Sequence, residues 1–135
     1  MVAKNLTEAF LEAQYFVKIN NFWHTLKIGL PCPEIANAAQ GNPWAIITAF
    51  NPAGVQIDDV ENWRRHQQLD QDTTQYQRLD AYGTGDGWPK EFGFLLVNIS
   101  DEDAALLAVK YGQAAFVYGD EVGVLRMTKI GGIKK

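Results

Sequence analysis

The spacing of apolar residues changes period several times along the chain, and each change predicts an element. Leu6, Phe10, Ala13 and Val17 recur at helical spacing, with Asn5 as a cap and Glu8 three residues on. Gln14 to Ile19 and Phe22 to Ile28 read as two strands, joined by Asn20-Asn21, since Asn tolerates positive φ. Pro33 to Gln40 is a short helix with Pro at its start and Gly41 after its end. Ala45 to Phe50 is apolar on both faces apart from Thr48, the mark of a central strand. It stops sharply at Asn51-Pro52.

Asp58 and Asp59 open the next helix, where negative charge suits the macrodipole. Its one coherent stripe is Asn62, His66, Leu69, Thr73 and Tyr76. Leu79 to Tyr82 reads as a strand, Gly83 to Gly87 as a flexible loop, and Phe92 to Ile99 as a second buried strand. Ser100 and Asp103 box the start of a helix whose apolar face is Ala104, Leu107, Ala108 and Tyr111, closed by Gly112. Ala114 to Tyr118 and Val122 to Met127 form a last hairpin.

The predicted order is α-ββ-α-β-α-ββ-α-ββ. Hairpins alternating with single helices indicate an α+β fold, with one mixed, largely antiparallel sheet and helices packed on it. Residues 1–135 are expected to form one domain, with 129–135 as a frayed tail rich in Gly and Lys.

Composition narrows the function classes. The chain has 135 residues and a formal net charge of −4, which argues against general nucleic-acid or anionic-membrane binding, although a local basic patch escapes such an average. One cysteine, Cys32, excludes an internal disulfide and fits a reducing compartment. With no signal-peptide pattern and no run of 18 apolar residues, the expectation is a soluble cytoplasmic protein. No cofactor is indicated.

Most catalytic signatures are missing. Gly83 to Gly87 precedes a strand, whereas a phosphate cradle opens a helix. The two histidines, His24 and His66, lie far apart, and the acidic clusters at 58–61 and 101–103 are explained by helix starts, so no metal site is expected. The only serine, Ser100, serves as a cap. Cys32 has no neighbour that sequence places to activate its thiol.

What remains is a constellation. Thr48 and Asn51 end the central strand, and Asn62 and His66 share a helix face just downstream. Glu91 precedes the second buried strand, and Gln113 follows a helix end. If the two buried strands are neighbours, these groups converge at one rim of the sheet, where they either hold a ligand or cross-link loops. The ligand-binding candidates are Thr48, Asn51, Asn62, Trp88 and Gln113. Glu91, Glu61 and His66 are the titrating groups available for acid–base work.

In these same pieces the chain resembles the bacterial family known as domain of unknown function 3293. They are Ile47-Thr48-Ala49-Phe50-Asn51-Pro52, Glu61-Asn62, Gly87-Trp88-Pro89 with Glu91 and Phe94, and Tyr111-Gly112-Gln113 with Ala115. The resemblance spans about Tyr15 to Leu125. It implies a small bacterial cytoplasmic protein and transfers no catalytic residue. The family tends to carry Pro-Ser between the Glu and the Phe, where this chain has Phe92-Gly93.

Two functions follow as expectations. One is a sheet-rim pocket for a small polar metabolite or nucleotide-like ligand, with or without catalysis, in which Tyr82 and Trp88 stack. The other is a protein-interaction or regulatory module anchored by Trp23, Trp63 and Trp88. Oligomeric state is left open.

Overall fold

The computed structural model of the chain describes residues 12–85 and 87–128. The helix expected before Gln14 and the tail 129–135 lie outside those residues. The described order is β1 (Gln14–Ile19), β2 (Phe22–Leu26), α1 (Pro33–Ala38), β3 (Trp44–Thr48), a 3-10 turn (Pro52–Gly54), α2 (Asp59–Asp72), β4 (Gln77–Gly85), β5 (Trp88–Val97), α3 (Asp101–Lys110), β6 (Ala115–Gly119) and β7 (Gly123–Met127). The fold is α+β, and all seven strands join one sheet in the order β2-β1-β4-β5-β3-β6-β7. Every described ladder is antiparallel.

Local chemistry explains the tight connections. Asn20 and Asn21 both take positive φ, 52° and 69°, as a two-residue hairpin turn whose twist matches its strands requires. The side chains of Asp58 and Ser100 accept the N–H groups of Glu61 and Asp103, capping α2 and α3.

Helices pack on both faces of the sheet. On the first face, Ile35 and Ala39 at the end of α1 cover Leu26, Trp44, Ile46, Leu95, Val97 and Val117. On the second, Leu69 of α2 and Ala104, Ala108 and Tyr111 of the α3 segment cover Ala45, Ile47, Phe94, Leu96 and Phe116. β3 is buried on both sides, which explains its lack of alternation.

The glycine segment corrects the sequence reading. Gly83, Thr84 and Gly85 belong to β4, and β5 begins at Trp88, so the expected loop 83–87 is the end of a long hairpin. Gly83 pairs with Glu91 and Gly85 with Trp88, with a register shift between them. Glu91 therefore lies inside β5 and does not precede it. Pro89 is tolerated because it sits near the strand's start.

Candidate functional site

The end of β3 and the start of β5 meet because the two strands run antiparallel, with Thr48 opposite Gly93. Their approach is close. A Cβ on Gly93 would lie 2.1 Å from the Ile47 carbonyl oxygen, so only glycine fits there. Thr48 ties the corner: its hydroxyl donates to the Phe92 carbonyl at 2.7 Å and accepts the Phe50 N–H at 3.1 Å.

Beyond Thr48 the chain turns through Asn51, which takes a left-handed conformation (φ 49°, ψ 65°). Asn is among the few residues that adopt it at low cost. Its side chain is 4% exposed and nearly saturated. Oδ1 accepts the Ile57 N–H at 3.0 Å and the Asn62 amide at 2.9 Å, while Nδ2 donates to Glu91 Oε2 at 2.8 Å. Asn62, 3% exposed, returns an acceptor to the Asn51 N–H at 2.8 Å.

Two further side chains hold this loop. Arg65 donates to the carbonyls of Ala49 and Tyr111, and Gln113 donates to those of Phe50 at 2.9 Å and Tyr111 at 3.1 Å. The Ala53 N–H reaches the Gly112 carbonyl at 2.7 Å. Gly112 has φ +72°, and a Cβ there would lie 2.8 Å from the Pro52 Cβ. The rim loop is thus bound to α2, β5 and the end of α3.

Glu91 is the chemically pointed member. Its Oε2 accepts from Asn51 Nδ2 and, at 2.6 Å, from Trp88 Nε1. Among the described residues, Oε1 receives no hydrogen bond. Burial pushes the Glu91 carboxyl above the usual carboxylate range, and the Asn51 and Trp88 hydrogen bonds pull against that shift. Burial, followed by the nearby Glu91 charge, raises the Tyr15 hydroxyl well above its ordinary value.

Glu91 lines a cavity of about 240 Å³ on the first face of the sheet, beyond the part that α1 covers. Tyr15, Ile46, Val117 and Leu125 are among its apolar lining residues, together with Gly83, Gly93 and Ala115. Among the described lining residues the charged groups are two carboxylates, Glu12 and Glu91, with no Lys, Arg or His.

The geometry sorts the sequence candidates. Thr48, Asn51, Trp88, Glu91 and Gln113 all line the cavity. Asn62 stands behind Asn51 and supports it. Glu61 faces solvent on α2 and pairs with Arg64 at 2.5 Å, which holds its carboxyl below the usual range. His66 lies on the opposite side of the sheet, its ring stacked on Phe94 at 4.8 Å between centroids. Burial lowers its pKa, and its Nδ1 is buried without a partner among the described residues. Tyr82 is also on that opposite face, stacked on Phe16.

Tyr15 and Arg65 were missed. Tyr15 carried a usable signal, its alternation with buried Val17 on β1; Arg65 carried none, since its partners are backbone carbonyls. Cys32 is buried, and burial raises its thiol pKa, as suits an unreactive loop cysteine. The described residues contain no group of three or more potential ligands placed to hold a metal, and no helix long and apolar enough to cross a membrane.

Residues 47–116, just over half of the chain, match the family described as a protein of unknown function, domain of unknown function 3293. The chain belongs to that family. The matched segment runs from β3 into β6 and contains the whole rim network: Thr48, Asn51, Asn62, Arg65, Trp88, Glu91 and Gln113. Neither a curated protein nor a solved structure matches the chain.

Proposed function

We propose that this member of the family binds a small molecule in the cavity beside Glu91, an apolar body carrying an amine or other strong hydrogen-bond donor. The observation that carries the reading is the division of labour on the Glu91 carboxylate. Asn51 and Trp88 hold Oε2, which leaves Oε1 of this cavity-lining residue without a hydrogen bond among the described residues and so available to a ligand. Pockets of this kind combine apolar walls with a few placed polar groups. A half-buried carboxylate gains most from a charged donor, since charge-assisted hydrogen bonds are roughly twice as strong as neutral ones.

The lining chemistry narrows the broader expectation of a polar metabolite or nucleotide-like ligand. The Glu91 carboxylate, with no Lys, Arg or His among the described lining residues, disfavours a phosphate, so an amine is favoured over a nucleotide. Asn51, Asn62 and Gln113 have most of their capacity committed to the rim loop, which makes them supports for Glu91 more than readers of a ligand. An interaction module, the other expectation, would draw on Trp23 and Trp63, which are exposed away from this cavity.

Benzylamine is a suitable probe, titrated against isotope-labelled protein by NMR. Binding should shift amides at residues 46–51, 83–85 and 91–93. Glu91→Gln keeps the shape and removes the charge, and it should weaken binding about tenfold or more. Equal binding by the two proteins would refute the role of Glu91.

A further inference from the structure

The chain is acidic as a whole, yet one surface is not. Strand alternation puts Trp23 and Thr25 of β2 on the same sheet face as Gln14, Phe16 and Lys18 of β1. The β4 and β5 ladders add Asp80, Tyr82, Thr84, Lys90 and Phe92 to that face. This is the second face of the sheet, opposite the Glu91 cavity. The α2 and α3 segments cover its inner part through Leu69, Ala104, Ala108 and Tyr111. Among the described residues no helix packs over Phe16 and Tyr82.

The aromatics there form a continuous row. Phe16, Tyr82 and Phe92 sit directly opposite one another across three strands, with ring centroids 4.7 and 5.5 Å apart. An indole stands at each end: Trp23 lies edge-on to Tyr82 at 4.9 Å, and Trp63 of α2 lies 5.3 Å from Phe92. Trp23 and Trp63 are 43% and 44% exposed. Cations flank the row. Lys18 Nζ lies 5.9 Å from the Trp23 ring centre and Lys90 Nζ 4.7 Å from that of Tyr82. Asp80 is the one acid among these strand positions.

We propose that this face binds single-stranded nucleic acid, with bases stacking on Trp23 and on the aromatic row and phosphates meeting Lys18 and Lys90. An aromatic strip in a basic field suits a polyanion whose every unit carries a flat π-face. An acidic peptide would satisfy the lysines and leave the rings unused. A duplex hides the faces of its bases and would use only the charges. The low net charge pointed the other way because it averages over the surface.

The test uses the full chain and fluorescein-labelled dT12 and rU12, read by anisotropy at low salt. Trp23→Ala should bind about tenfold or more weakly, given the usual contribution of one stacked base. Lys18→Ala with Lys90→Ala should flatten the plot of log affinity against log salt by about 0.7 per lysine removed. Arg126→Ala, on the opposite edge strand, should bind as the wild type does. Thermal melts verify that each variant is folded. Trp63→Ala provides a second stacking variant in case Trp23→Ala unfolds. No anisotropy change with either oligonucleotide would overturn the proposal. So would equal affinities across all variants, or a self-associated wild type that Trp23→Ala converts to monomer.

Discussion

Replacing Asn51 with Ala separates a brace from a ligand reader, and its cost can be worked from the contacts. The substitution strips the buried Asn62 amide of its 2.9 Å acceptor, leaving only the Ile57 carbonyl at 3.5 Å, and takes the acceptor of the Ile57 N–H and one donor of Glu91. One buried unsatisfied donor costs about 1–3 kcal/mol, and the half-buried Ile57 N–H adds about 1 kcal/mol. Ala at φ 49° costs roughly 1 kcal/mol more than Asn. The expected loss is about 3–5 kcal/mol, a large share of the 5–15 kcal/mol typical of a domain. Equilibrium urea unfolding measures it, with an unchanged slope showing that the transition remains two-state. Asn51→Gly loses the same side chain without the backbone strain, so it should be about 1 kcal/mol more stable than Asn51→Ala. A loss below about 1 kcal/mol in Asn51→Ala would refute the brace, and equality of the two variants would refute the strain component.

Three further outcomes are expected. Gly93→Ala should cost more than about 3 kcal/mol or prevent folding, because its Cβ would meet a backbone oxygen that cannot move away; circular dichroism melts check this. Glu91 has its folded-state pKa raised above its ordinary 4.5, so the folded state holds the proton more tightly than the unfolded chain does. Stability relative to Glu91→Gln should therefore be greatest below about pH 4.5 and fall as pH rises through the raised value, which parallel urea titrations would follow. His66 has its pKa lowered below 6.5, so stability relative to His66→Phe should hold above that pH and fall as pH drops through it.

Signals that act within a few residues were legible in the sequence. The Asn20-Asn21 turn, the caps at Asp58 and Ser100 and the two-sided apolarity of β3 all follow from neighbouring side chains. The glycine segment misled because glycine lowers strand propensity wherever it stands. Here it is retained in the strand: a Cβ on Gly83 would press 3.1 Å from the Tyr15 ring packed over it. The placement of Tyr15 depends on β1 pairing with β4, which is long-range and leaves no local mark.

The helix stripe holds for Asn62, His66 and Leu69 but not for Thr73 and Tyr76, since α2 ends at Asp72, and the part that holds spans two environments. Asn62, near the start of α2, reaches the rim at Asn51, whereas His66, one turn on, lies over Phe94 on the other face. Periodicity names the residues that share a helix face, and only the packing of the helix decides which of them meet the same cavity. Glu91 and Gln113 carried no periodic signal. Their meeting with Asn51 comes from the β3–β5 pairing and the close contact of Gly112 with Pro52.

The most direct test of the Glu91 reading is a crystal structure of the chain soaked with benzylamine. The account requires the ammonium about 2.7–2.9 Å from Glu91 Oε1, with the ring against Tyr15, Ile46 and Val117 and with Asn51 and Trp88 still on Oε2. An empty cavity at saturating benzylamine, or a probe bound with its amine away from Glu91, would contradict it.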